Sequence, residues 1–206
     1  MSVINYLIGS EHTDNTPQQT FSDEICAFMN ELSAALMCSP SARTYPDISA
    51  LAFWCRKGNI QKLKDRYDEK TERLGRGVCF HVTPSNIPIN FAFSWLFSLL
   101  AGNANIVRLP SKDFPQVAPV LDAIAKTMEK YPDIARRAAF VRYPADNAVT
   151  AEFCASADAR MIWGGDSTIS SIKSLPTKPR CVDIAFADRY SICIIGGKAV
   201  LDANED

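Results

Sequence analysis

The chain has 206 residues, of which 47% are hydrophobic and 22% charged, a balance typical of a soluble globular protein with a sizeable core. Its net charge of -1 provides no overall field that would hold nucleic acid or an anionic membrane surface, so we expect neither as a partner. The longest apolar run, residues 91–101, is too short to span a bilayer.

The cysteine and histidine content indicates a cytoplasmic protein with reduced thiols. Seven cysteines occur without a CxxC pair, and the N-terminus lacks the basic and apolar segments of a secretory signal. The two histidines, His12 and His81, do not form a His/Cys cluster with the spacing of a zinc site. We therefore expect no metal.

The first third of the chain is predicted to be an arm followed by a helical layer. Residues 1–20 include a polar run and are interpreted as a loosely held arm. From Ser22 onward apolar residues recur at helical spacing, and Ser22 has the character of a helix N-cap. We expect helices over residues 22–36, 47–56 and 60–74.

After residue 75, short apolar runs alternate with helical periods. Strands are predicted at 78–82, 104–109, 138–143, 160–163, 181–185 and 191–195, and helices at 87–101, 114–130, 147–156 and 167–174. This alternation predicts an α/β fold, with a largely parallel sheet that carries helices on both faces. Because ligands bind at the carboxyl ends of such strands, the candidate site is formed by the loops after Val82, Leu109, Tyr143 and Trp163.

The loop Thr83-Pro84-Ser85-Asn86 joins the first of these strands to an apolar helix. Asn86 lies just before that helix, where an asparagine side chain can cap free amide groups. The same side-chain amide can instead point into the crevice and stabilise an oxyanion, a charge that the helix N-terminus also favours. The local pattern leaves both interpretations open.

Two later loops also admit two interpretations each. Arg108, Pro110, Ser111 and Lys112 are either solvated groups at a strand end or contacts to a nucleotide ribose or phosphate. The segment Gly164-Gly165-Asp166-Ser167 is either a plain turn capped by Asp166 or a place where a ligand approaches the backbone. The GxGxxG fingerprint and the full P-loop spacing are absent.

The order and spacing of these segments resemble the aldehyde dehydrogenase superfamily, and most closely its LuxC-like acyl-CoA reductase branch. The resemblance covers roughly residues 51–195. It rests on Pro84-Ser85-Asn86-Ile87-Pro88, on Leu100-Ala101-Gly102-Asn103-Ala104-Asn105-Ile106-Val107-Arg108, and on Trp163-Gly164-Gly165-Asp166. It implies an N-terminal arm and helical layer over 1–74 and a Rossmann-like NAD(P)-binding domain over 75–206.

The resemblance also implies a reaction, in which an acyl thioester such as acyl-CoA forms an acyl-enzyme on a cysteine and is reduced to an aldehyde by NADPH or NADH. Asn86 matches the oxyanion asparagine, Arg108 and Ser111 match contacts to the adenine ribose, and Gly164-Gly165 matches the loop beside the pyrophosphate and nicotinamide. The predicted cofactor site is Thr83, Pro84, Ser85, Arg108, Pro110, Ser111, Lys112, Gly164, Gly165, Asp166 and Ser167. Since superfamily members commonly form dimers or tetramers, a homo-oligomer is expected.

Two departures from the family pattern affect the expected chemistry. Many relatives have an acid after the Pro-Ser pair, and this chain has Lys112, which removes repulsion of a 2′-phosphate and predicts a preference for NADPH. The oxidative branch carries a water-activating glutamate in the segment that corresponds to residues 185–191, and that glutamate is missing here. Its loss fits reduction better than oxidation.

The family's nucleophilic cysteine lies in a separate catalytic domain, beyond the last strand that we can place. Cys79, Cys154, Cys181 and Cys193 are interpreted as small core residues, so we expect the cofactor half of an enzyme, which binds but does not turn over alone. That interpretation predicts an exposed apolar surface near the C-terminal strand. The alternative, a self-contained nucleotide-binding or partner-docking domain, predicts a closed sheet. A hydrolase is disfavoured because GxSxG is absent and His81 is expected to be buried.

Overall fold

The computed structural model describes residues 4–67, 71–144, 146–187, 192–201 and 203. Its strands are β1 (Asn5–Ile8), β2 (Val78–Val82), β3 (Ala104–Arg108), β4 (Ala138–Arg142), β5 (Ala159–Trp163) and β6 (Val182–Phe186). Its helices are α1 (Asp23–Cys38), α2 (Pro40–Thr44), α3 (Pro46–Trp54), α4 (Lys57–Lys64), α5 (Asn90–Leu100), α6 (Val117–Met128), α7 (Pro132–Ala135), α8 (Asn147–Ser156), α9 (Asp166–Lys173) and α10 (Gly197–Leu201). Among the described residues, no helix has the length and apolar character needed to cross a membrane.

The strands within the described residues form one sheet in the order β1-β4-β3-β2-β5-β6. Strands β2 to β6 pair in parallel, and β1 runs antiparallel to β4. The order reverses at β2, because the chain first proceeds to β3 and β4 on one side and then returns to β5 on the other. This reversal confirms the predicted α/β fold and leaves a crevice at the carboxyl ends of the central strands.

Both faces of the sheet are covered, as the alternation of side chains along β4 illustrates. Phe140 joins the larger core, where α1, α3, α5 and α6 pack, whereas Ala139 and Val141 join the core beneath α8 and α9. All five side chains of β2 are buried, as expected for a central parallel strand. The predicted N-terminal helical layer is therefore present and shares its core with the sheet.

The structure differs from the prediction at both ends of the chain. Residues 1–20 are not simply a loose arm, because Asn5–Ile8 forms the edge strand β1, and the backbone amide of Gln18 donates to the carbonyl of Gly102 over 3.0 Å. The strand predicted at 191–195 is wrong: residues 192–196 have no strand pairing, and Ser191 lies outside the described residues. Ile192, Ile194 and Ile195 of this segment are 67–92% exposed.

Two predicted helices also begin or end elsewhere. The apolar helix begins at Asn90 and not at residue 87, since Pro88 disfavours a helical conformation at Ile87. The helix predicted at 60–74 ends at Lys64, and its residues 68–70 lie outside the described part of the chain. Leu74 instead forms an antiparallel bridge with Gln19, so this stretch is extended.

Gly102 ends α5 in a conformation that a side chain would disturb. Its φ is +82°, and a Cβ atom there would collide with the carbonyl oxygen of Gln18. We therefore expect Gly102→Ala to lower the free energy of unfolding by roughly 1–3 kcal/mol, measured by urea denaturation. As a control, Gly58 of α4 has no atom within 4 Å of an added Cβ, and Gly58→Ala is expected to leave stability unchanged or raise it by up to about 1 kcal/mol. Equal stability of the two variants would contradict this account.

Candidate functional site

The carboxyl ends of β2, β3, β5 and β6 surround a cleft of about 750 Å³ at the point where the strand order reverses. Three loops that are far apart in sequence line it. From the predicted site, the cleft brings together Thr83, Pro84, Ser85, Asn86, Arg108, Pro110, Ser111, Gly164 and Gly165. Thr168 and Ala185–Ala187 complete the wall and were not predicted.

The loops after β2 and β3 are tied to each other at the floor of the cleft. The hydroxyl of Thr83 donates a hydrogen bond of 2.6 Å to the backbone carbonyl of Arg108. This bond fixes the start of the Asn86 loop against the end of β3. Thr83 thus contributes its backbone and methyl group to the cleft, since its hydroxyl hydrogen is already engaged.

Asn86 lies exposed in the bend that precedes α5. The N-cap of α5 is Ile89, and no side chain caps the helix, so the interpretation of Asn86 as its cap is wrong. The helix begins four residues after Asn86, so the Asn86 side chain is not needed at its N-terminus. The side-chain amide of Asn86 is consequently available at the cleft wall, where it can donate to a ligand oxygen.

Arg108 is held by an aromatic ring at the opposite wall. Its guanidinium carbon lies 4.4 Å from the centroid of the Tyr143 ring. Tyr143 is itself buried and bonded to the Thr150 hydroxyl over 3.1 Å, and burial raises the pKa of its phenol. Because a ring covers one face of the planar guanidinium, its edge N–H groups remain to meet a phosphate or ribose oxygen.

Three predicted cofactor residues lie beside the cleft and do not line it. Lys112 is exposed one position beyond Ser111, with its Nζ 5.1 Å from the centroid of the Phe114 ring. Asp166 and Ser167 are exposed in the first turn of α9. The N-cap of α9 is Gly165, so the interpretation of Asp166 as the cap is also wrong.

Trp163 is a cleft residue that the sequence analysis used as a strand end and as part of the family motif but did not include among the predicted site residues. Its ring stacks on Phe186 with centroids 3.9 Å apart and planes at 9°, and its Nε1 donates to the hydroxyl of Ser94 over 3.1 Å. The aromatic residue directly before the Gly164-Gly165 pair was part of the motif, and its position at the end of a strand could have placed it in the site. Phe186 lies one residue beyond the strand predicted at 181–185, so no pattern in the sequence links the two rings.

An apolar groove of about 660 Å³ adjoins the cleft on the α5 side of the sheet. Phe93 and Phe97 of α5 face β5 and β6 across it, and Trp163 and Phe186 line both the groove and the cleft. Side chains on β6 remain partly open to solvent: Val182, Ile184 and Phe186 are 37–44% exposed. Within the described residues, the exposed apolar surface predicted near the C-terminal strand is therefore present, whereas the alternative predicted a closed sheet.

No cysteine lines the cleft within the described residues. Burial raises the pKa of the Cys79 thiol to about 12 and also raises the pKa of Cys154 and Cys181, so these side chains are poor thiolates. Cys193 was expected in a buried strand and is instead exposed outside any strand, because its segment has no pairing partner. The segment 185–191, where the water-activating glutamate is missing, lies partly outside the described residues.

The architecture is that of the aldehyde dehydrogenase fold. A protein described as an aldehyde dehydrogenase from Burkholderia cenocepacia superposes with a TM-score of 0.53 at 19% identity over 82% of this chain. Proline utilization A (PutA) gives 0.57 at 19% identity over 79% of the chain, and a protein described as aldehyde dehydrogenase PutA from Anabaena variabilis gives 0.51 at 17% over 82%. The chain spans only 37%, 20% and 38% of the length of these three structures.

The sequence profile of the family acyl-CoA reductase (LuxC) matches residues 56–206. The chain belongs to this family, which confirms the resemblance drawn from its motifs. The family description is that of an oxidoreductase. No curated protein sequence matches the chain.

Proposed function

We propose that this chain supplies the nicotinamide-cofactor site and the oxyanion donor of an enzyme that reduces acyl thioesters, such as acyl-CoA, to aldehydes. One observation carries the proposal: a single cleft at the strand reversal joins the Asn86 loop, the Arg108–Ser111 loop and the Gly164-Gly165 turn. This position is where parallel α/β sheets bind dinucleotides. The family assignment supports a reductase of acyl-CoA.

The placement of the cofactor follows from the chemistry of the three loops. The adenine ribose lies beside Arg108 and Ser111, where guanidinium and hydroxyl donors are available. The pyrophosphate lies at the start of α9, where Gly165 leaves room and the backbone amides of Asp166 and Ser167 are free of helical partners. The nicotinamide then reaches the wall formed by Thr83, Pro84 and Ser85, close to Asn86. When bound, the reduced cofactor supplies a hydride.

The role of Asn86 is to stabilise charge on the substrate. As a nucleophile adds to the thioester carbonyl, negative charge develops on the carbonyl oxygen, and a neutral amide donor in a fixed loop stabilises it. The apolar groove lined by Phe93, Phe97 and Ile184 meets the cleft at Trp163 and can take the hydrocarbon part of an acyl group. The nucleophile is expected to be a cysteine outside the residues that line this cleft.

Lys112 sets the expected cofactor preference. A cation one residue beyond the ribose contacts attracts a 2′-phosphate, so we expect the chain to bind NADPH more tightly than NADH in calorimetric titration. We expect Lys112→Glu to weaken NADPH binding by about thirtyfold, since it replaces an attraction of roughly 1 kcal/mol by a repulsion of similar size, and to leave NADH binding largely unchanged.

Lys126, an exposed lysine of α6 that does not line the cleft, provides the matched control. Lys126→Glu makes the same change in net charge and is expected to leave both affinities unaltered. Tighter binding of NADH by the unaltered chain would refute the NADPH preference. If the unaltered chain bound neither NADPH nor NADH, the proposed site would be refuted.

A further inference from the structure

A chain of hydrogen bonds between side chains runs from the cleft wall into the buried centre of the sheet. Trp163 Nε1 donates to Ser94 Oγ over 3.1 Å, and Ser94 Oγ lies 2.8 Å from His81 Nδ1. His81 Nε2 lies 3.0 Å from Asn105 Oδ1, and Asn105 Nδ2 donates to the carbonyl of Asn103 over 2.9 Å. The chain connects α5, β2 and β3 to the last residue of β5.

The two ends of this chain fix the direction of every bond within it. The indole of Trp163 can only donate, so the Ser94 oxygen accepts from it. Asn105 uses its amide hydrogen on Asn103, so its oxygen accepts from His81 Nε2. The Nδ1 atom of His81 is then left to accept from the Ser94 hydroxyl. One tautomer of a neutral His81 satisfies all four bonds.

The interior members of the chain are sealed from solvent. Ser94, His81 and Asn105 each have 0% exposure, and burial lowers the pKa of His81 to about 4, so the ring is neutral at neutral pH. Buried polar groups of this kind are destabilising unless every one of them is paired. Apolar side chains would fill the same space without needing hydrogen-bond partners. Trp163 is the residue of the hydrogen-bond chain that reaches the cleft.

The end of the hydrogen-bond chain at the cleft, Trp163, is restrained a second time. The Trp163 ring stacks on Phe186, with 3.9 Å between centroids. One face of the indole is therefore covered, and its N–H edge is bonded to Ser94, so both the position and the tilt of the ring are set. The ring stands between the cleft and the apolar groove, directly before the turn Gly164-Gly165.

We propose that Ser94 and His81 are positioning residues that act through Trp163, holding its indole ring as a fixed wall for the nicotinamide ring of the cofactor. This inference rests on the proposed function, because it assumes a nicotinamide at this end of the cleft. Ser94 and His81 do not touch the ligand. They act on the half of the dinucleotide that meets Trp163 and leave the adenosine half, beside Arg108 and Ser111, unaffected.

The test compares two ligands on the 206-residue chain by calorimetric titration. NADPH occupies the whole cleft, whereas adenosine 2′,5′-bisphosphate represents its adenosine half alone. Ser94→Ala is expected to weaken NADPH by about fivefold, the effect of losing one hydrogen bond, and to leave the bisphosphate unchanged. Trp163→Phe keeps an aromatic ring but removes the N–H, and it is expected to show the same selective loss even if Ser94→Ala does not fold.

Ser98→Ala is the matched control, since Ser98 is a buried serine of α5 one turn later that contacts neither Trp163 nor His81: its hydroxyl accepts from the side-chain amide of Asn103, whereas the hydrogen-bond chain ends on the backbone carbonyl of Asn103. A spectroscopic measurement without ligand accompanies it. The indole ¹H–¹⁵N resonance of Trp163, assigned by its loss in Trp163→Phe, is expected to shift in Ser94→Ala and to remain in place in Ser98→Ala.

The outcomes separate the two proposals. Binding of neither ligand to the unaltered chain overturns the proposed cofactor site and the inference with it. If the unaltered chain binds both ligands, the cofactor site stands. If Ser94→Ala and Trp163→Phe then weaken the two ligands equally, or weaken neither ligand, the positioning role is overturned. A loss of affinity for NADPH but not for the bisphosphate, together with the shift of the indole resonance, supports the positioning role.

Discussion

Asn86→Ala is expected to slow the reduction of an acyl-CoA by roughly 10²–10³-fold in an enzyme that joins this chain to a cysteine nucleophile, the usual effect of removing one oxyanion donor. The expectation follows from the loop, in which Asn86 is exposed at the cleft and does not cap α5. Turnover is measured as cofactor oxidation under saturating acyl-CoA, and cofactor affinity is measured separately by titration.

The same substitution should leave cofactor affinity within about twofold, because Asn86 is proposed to act on charge that develops only during the reaction. Asn147→Ala, which removes an exposed asparagine at the start of α8 that does not line the cleft, is the control and should turn over normally. Normal turnover in Asn86→Ala would show that Asn86 does not act as an oxyanion donor. A loss of cofactor binding instead would assign it to the nucleotide site.

Arg160→Met is expected to lower the free energy of unfolding by about 3–5 kcal/mol, because it leaves a partly buried carboxylate without its partner. The Arg160 side chain is 3% exposed and binds Asp183 of β6 through Nε and Nη2 at 2.7 and 2.8 Å. It also donates to the carbonyl of Ile172 over 2.7 Å. Burial alone would lower the pKa of Arg160, but its bonds to Asp183 raise it overall.

Urea denaturation measures the effect, and Lys178→Met is the matched control. Lys178 bonds to Asp158 over 2.8 Å with its side chain 42% exposed, so its loss is expected to cost less than about 1 kcal/mol. If Arg160→Met were as stable as this control, the Arg160–Asp183 pair would not be what anchors β6. Since β6 carries Phe186, the partner of Trp163, the variant should also weaken NADPH binding.

The sequence was sufficient for the parallel sheet because each central strand carries its own signal. Val78–Val82 is apolar except for His81, and its burial on both faces is what such a run predicts. The motifs around Asn86, Arg108 and Gly164 likewise lie at strand ends, where the topology brings them into one cleft. Their roles, the homo-oligomer, the cytoplasmic setting and the division at residue 74 remain predictions.

What the sequence could not predict depends on partners that are distant along the chain. β1 was missed because four residues show little periodicity, and pairing with β4 is what makes them a strand. The opposite error occurred at the strand predicted for 191–195, whose described residues, 192–195, form no strand because the apolar run has no pairing partner there. The bond between Ser94 and Trp163 joins residues 69 positions apart, so no local pattern in the sequence predicts it.

The pairing of β1 with β4 has a consequence for how the chain reaches its fold. Asn5 lies opposite Arg142, 137 residues later. Contacts of such long separation must overcome a large loop-closure entropy and form slowly, while the free edge of β4 can pair wrongly with other strands. During translation β1 leaves the ribosome long before its partner exists. β1 is therefore expected to complete the sheet and not to nucleate it.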